Sequence, residues 1–121
     1  MNEILLYIGG ILPVFWGTAH LFPTKSVVKS FGNISEDNKK IIAMEWVNEG
    51  LALIFVGLLV ILNTIMGLYL SLIYWLSAAM LFSMALLSLA TGARTSQFPF
   101  KICPILFGTA ATLLLLGTYI F

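Results

Sequence analysis

Four long apolar runs constrain this chain more than any other feature: residues 4–22, 41–62, 68–91 and 102–121, of 19, 22, 24 and 20 residues. Each is close to the about 20 residues a helix needs to cross about 30 Å of hydrocarbon at about 1.5 Å per residue. Inside lipid a backbone amide finds no water, so a crossing segment must be a helix or part of a closed barrel. A barrel would show strands of about 10 residues with alternating polarity. These runs do not alternate, and the expected architecture is a single all-α domain, an integral-membrane four-helix transmembrane bundle.

Composition agrees. Side chains are 60% hydrophobic and 9% charged over 121 residues, against about 45–50% and about 25% in a soluble domain. So few charges exclude a soluble globule, a disordered segment and a nucleic-acid binder. The runs take up about two thirds of the chain, so function must sit in the bundle or at its rims. Cys103 is the one cysteine, which excludes an intrachain disulfide and a two-thiol redox pair.

The net charge of +1 says less than where the charges fall. All six basic residues lie in two connections: Lys25, Lys29, Lys39 and Lys40 between runs one and two, Arg94 and Lys101 between runs three and four. The positive-inside rule makes both connections cytoplasmic, with both termini and the short 63–67 turn on the other side. The protein is expected to be a multi-pass protein of the cytoplasmic membrane. Met1-Asn2-Glu3 is acidic where a signal peptide needs a basic start, so run one is expected to be retained. In the first connection Val27, Val28 and Phe31 share helical spacing, with Thr24 as expected N-cap and Gly32 as stop; Ser35, before Glu36 and Asp37, is the expected cap of the next helix.

The informative residues in a bilayer are the polar ones. Glu45, Asn48 and Glu49 follow i, i+3, i+4 spacing and so share one helix face. His20 closes run one at the same end, on a face with Gly9, Pro13 and Gly17 that suits close helix contact. Pro13 is expected to kink that run. Run three offers Tyr74, Ser77, Ser88 and Thr91 on one face, with Arg94 beyond it; run four offers Lys101, Pro104, Gly108, Thr112 and Tyr119. Taking polar and small faces as inward predicts a polar pocket at the cytoplasmic rim lined by His20, Glu45, Asn48, Glu49 and Arg94. Structural readings stand beside this one: Arg94 and Lys101 obey the charge rule, hydroxyls bond their own helices, and Trp16, Trp46 and Trp75 anchor the interface or fill the core.

A single histidine, no Glu-x-x-His repeat, no nucleophile elbow, no phosphate loop and no dinucleotide fingerprint leave metal, nucleophilic and nucleotide chemistry without a motif. No metal site is expected, and no cofactor is indicated. Two readings remain open. One is a pocket for a small lipid-soluble ligand, a quinone or a lipid, or a subunit of a homo-oligomer or membrane complex. The other is acid/base catalysis or proton-coupled transport through His20, Glu45 and Glu49.

The stretch Gly17-Thr18-Ala19-His20-Leu21, followed by Val27, Val28, Phe31 and Gly32, resembles the end of the first helix and the amphipathic link of DoxX-like small four-helix membrane proteins. That resemblance covers about thirty residues plus the four-span plan. It implies a bacterial or archaeal cytoplasmic-membrane protein, sometimes a subunit of a quinone-linked oxidoreductase.

Overall fold

The computed structural model describes residues 1–120. Five α-helices and one short 3₁₀ turn account for them: α1 (Glu3–Leu21), α2 (Thr24–Ser30), α3 (Glu36–Ile65), α4 (Ser71–Ala90), the 3₁₀ turn Gly92–Arg94, and α5 (Phe98–Tyr119). Four of them, α1, α3, α4 with its 3₁₀ extension, and α5, are long and apolar enough to cross a membrane. Phe121, the last residue of the fourth expected span, lies outside the described residues.

Helix ends follow local chemistry. The Asn2 side chain accepts from Leu5 N–H at 3.2 Å to open α1, and Ser35 Oγ accepts from Asn38 N–H at 3.1 Å to open α3, as its sequence context predicts. Glu36 and Asp37 occupy the first turn of α3, where the helix dipole favours acids. At 30 residues α3 is about 45 Å long, longer than the about 30 Å of hydrocarbon a crossing helix must span. Pro13 lies buried inside α1 without ending it. Thr24 is the first residue of α2 rather than its cap. Its hydroxyl instead donates back to the Leu21 carbonyl at 2.6 Å, because the two-residue link from α1 leaves that carbonyl within reach. Gly32 follows α2 at φ +79°, the left-handed conformation of a helix stop.

The 63–67 turn starts later than expected. Helix α3 continues to Ile65, and Asn63 and Thr64 are buried in its last turn. Asn63 brackets Leu70, accepting from its N–H at 3.2 Å and donating to its carbonyl at 3.3 Å. Thr64 shares a 2.9 Å hydrogen bond with the phenol of buried Tyr74. The side chains thus join α3 to α4 while the backbone stays helical. At this same end the Asn2 amide donates to Gly117 O at 2.7 Å, and Tyr69 donates to the Glu3 carboxylate.

Round the bundle the order is α3, α1, α5, α4. Helix α1 packs along both α3 and α5, α4 packs along α5, and α3 and α4 touch sparsely. The α1–α3 crossing is the closest. A Cβ on Gly17 would meet Gly50 O at 2.7 Å, and one on Gly10 would meet Gly57 O at 3.1 Å. Two glycines seven residues apart on each antiparallel helix therefore let the backbones touch, the small-residue mode of packing in lipid.

The expected inward face of the fourth span is corrected in part. Helix α5 buries Cys103, Pro104, Phe107, Ala110, Ala111, Leu114 and Gly117, so Pro104 is inward as expected, while Gly108 is half-buried and Lys101, Thr112 and Tyr119 are exposed. Phe107 and Leu114 are completely buried in the bundle, and Gly117 receives Leu6. Thr112 faces outward at little cost because its hydroxyl donates to Gly108 O at 2.8 Å.

Candidate functional site

The half of the bundle that carries the basic residues contains a cavity of about 980 Å³. It occupies the seam between α3 and α4. That position follows from the packing: at the far end Asn63, Thr64 and Tyr74 hold the two helices together, and among the described residues no side-chain hydrogen bond joins them here. Helix α2 crosses one edge with Val27 and Phe31, and α5 supplies Phe100 and Cys103 to the wall. From α4 come Met80, Met84 and Leu87, with Ser88 and Thr91 nearer the rim.

His20 is the polar centre. It sits in the last turn of α1, where Gly17 one turn earlier brings that helix against α3. Its imidazole stacks on the Trp46 indole, with ring centroids 3.8 Å apart and planes 16° from parallel. The indole N–H donates to the backbone carbonyl of His20 at 2.7 Å, so one tryptophan both covers the ring and satisfies a carbonyl at the helix end. Phe100 meets Trp46 edge-on at 5.8 Å. His20 Nε2 lies 3.4 Å from Glu49 Oε2, with side-chain exposures of 6% and 40%. That Nε2 is buried and has no hydrogen-bond partner.

The stripe on α3 is arranged as its spacing predicts. Glu45, Asn48 and Glu49 all line the cavity, Glu49 deepest and the other two exposed at the rim. Arg94 is not brought to it: its side chain is exposed and Nε donates to Leu89 O at 3.2 Å. The 3₁₀ turn after α4 carries it round the helix end, so sharing a membrane level with His20 did not mean sharing a wall. Sequence reasoning missed Trp46 as a wall residue, although it stands three positions before Glu49. It also missed Phe100, Cys103 and the two methionines, which no polar signal marks. Among the described residues no three His, Cys, Asp or Glu side chains converge as a metal ion requires.

The arrangement is amphiphilic. A polar centre, His20 with Glu49, is set in mostly apolar and aromatic walls that also carry Ser26, Ser30, Ser88, Thr91, Thr95 and Gln97, with Glu45 and Asn48 exposed at the rim. A molecule with a polar head and an apolar body matches this pattern, which is the usual one for small-molecule sites. Comparison with family models, curated proteins and solved structures returns no match.

Proposed function

We propose that this protein binds a small lipid-soluble amphiphile in the seam between α3 and α4, its polar head at His20 and Glu49 and its apolar part along Met80, Met84 and Leu87. One observation carries the reading: a buried histidine nitrogen without a hydrogen-bond partner in the wall of a large, mostly apolar cavity. Leaving a buried polar atom unpaired costs about 1–3 kcal/mol, a cost that a bound head group removes. The α3–α4 seam lies on the outside of the four-helix ring, so with the bundle in a bilayer such a molecule would reach the site from lipid. The six cations gathered at one end support a cytoplasmic-membrane orientation with that end inside and both termini outside. A small lipid-soluble ligand is in keeping with the DoxX-like resemblance.

Native mass spectrometry of the protein released from membranes in mild detergent tests this. The wild type is expected to carry an amphiphile adduct, and His20→Phe, which keeps a ring stacked on Trp46 but removes Nε2, is expected to lose it with helicity unchanged. A bare wild type, or the same adduct on His20→Phe, refutes the reading. The same spectrum counts subunits.

A further inference from the structure

The charges around the cavity are distributed unevenly. All six Lys and Arg side chains belong to this end of the bundle, yet none lines the cavity. Three are engaged elsewhere: Lys39 pairs with Glu36 at 2.7 Å, Lys101 donates to Ala93 O at 3.1 Å, and Arg94 donates to Leu89 O at 3.2 Å. Two carboxylates, Glu45 and Glu49, do line it. Among the described residues neither is paired with a lysine or arginine. A carboxylate at the edge of hydrocarbon is tolerated when it faces a partner, and the neighbour Glu49 has is His20, whose buried Nε2 lacks a hydrogen bond.

From this we infer that the head of the bound amphiphile is a protonated amine carrying no phosphate, an inference that rests on the cavity reading above. An ammonium N–H donates to Glu49. A second donates to the Nε2 lone pair when His20 holds its proton on Nδ1. The aromatic rings of Trp46 and Phe100 beside it add cation–π attraction. An anionic head, such as a fatty-acid carboxylate, would meet two like charges and no lysine or arginine. A neutral head would leave Glu49 with His20 as its one ionisable neighbour among the described residues. A phospholipid ammonium would bring its phosphate into a wall with no lysine or arginine to receive it, so the source is a simple alkylamine and not a membrane phospholipid.

The test compares three probes of equal chain length, dodecylammonium, dodecanol and dodecanoate, titrated calorimetrically into the full chain in phosphatidylcholine nanodiscs, with empty discs as reference. Dodecylammonium is expected to bind at least about tenfold more tightly than dodecanol, and dodecanoate most weakly. Glu49→Gln is expected to weaken the amine by about tenfold while dodecanol stays within about twofold. Equal or tighter binding of dodecanol or dodecanoate to the wild type overturns the charge assignment and leaves the cavity reading standing. Saturable binding of none of the three overturns both. Discs containing phosphatidylethanolamine are expected to leave amine binding within about twofold; complete displacement by that lipid overturns the exclusion of phospholipids. The probe series on the wild type decides the matter even if a variant fails to fold.

Discussion

Replacing Gly17 with alanine puts one methyl group where α1 and α3 touch, and its consequence can be worked from the structure. The new Cβ would lie 2.7 Å from Gly50 O and 2.8 Å from Leu53 Cβ. Ordinary carbon contacts are about 3.5–4.0 Å, so the helices must part locally by nearly an ångström. Neither obstructing atom is the end of a flexible side chain, so a rotamer change cannot relieve the clash. Overpacking of this kind costs about 1–3 kcal/mol, while alanine itself favours the helix by about 1 kcal/mol over glycine. Gly108→Ala separates the two effects, because its Cβ would find nothing within 4 Å. Reversible unfolding in mixed micelles, followed by circular dichroism, should place Gly17→Ala about 1–3 kcal/mol below Gly108→Ala. Gly17 also stands one turn before His20, and Gly50 directly follows Glu49, so parting the helices should widen the 3.4 Å His20–Glu49 approach and weaken amphiphile binding. Equal stability of the two alanine variants would refute the claim that backbone contact sets the α1–α3 crossing.

Other expectations concern the opposite end and the cavity wall. Tyr74→Phe removes the phenol bonded to Thr64 and should lower stability by about 0.6 kcal/mol, the average for a polar contact between membrane helices, in the same unfolding assay. Because the Glu3 carboxylate accepts its hydrogen bond, the Tyr69 phenol is held above its ordinary range. Ultraviolet titration should show late tyrosine ionisation in the wild type, part of which returns toward the usual range in Glu3→Gln, since removing the negative acceptor makes the Tyr69 phenolate easier to form. An unchanged titration curve would refute that contact. Trp46→Phe keeps an aromatic ring against His20 but deletes the N–H that satisfies its carbonyl; a loss of about 1 kcal/mol on unfolding is expected.

Much of this molecule can be read in one dimension. Run lengths set against bilayer thickness identify the four crossing helices, and the absence of alternation makes them helices. The grouping of all six cations distinguishes one end from the other. A period of about 100° per residue puts Glu45, Asn48 and Glu49 on one face, and the structure keeps them there, lining one cavity. His20 is likewise inward because Gly17 and Pro13 share its face. These features depend on length, charge and angular spacing along a single helix.

Which face of each helix meets which neighbour was decided only by tertiary packing. Lipid tails are as apolar as leucine, so hydrophobicity does not tell a bundle-facing side from a lipid-facing one. On α5 the small and polar residues suggested the inward face, yet of those only Pro104 is buried, and Phe107 and Leu114 are enclosed together with Ala110, Ala111 and Gly117; Leu114 takes the space that Gly9 leaves, and Leu6 the space that Gly117 leaves. The same contest of shapes set the order α3, α1, α5, α4 and left the seam between α3 and α4 open. That is why Arg94, expected at the pocket, lies outside it, while Trp46, Met84 and Phe100 form its walls: the spacing along each chain segment is local, whereas a wall exists only once several helices have fixed their rotations against one another.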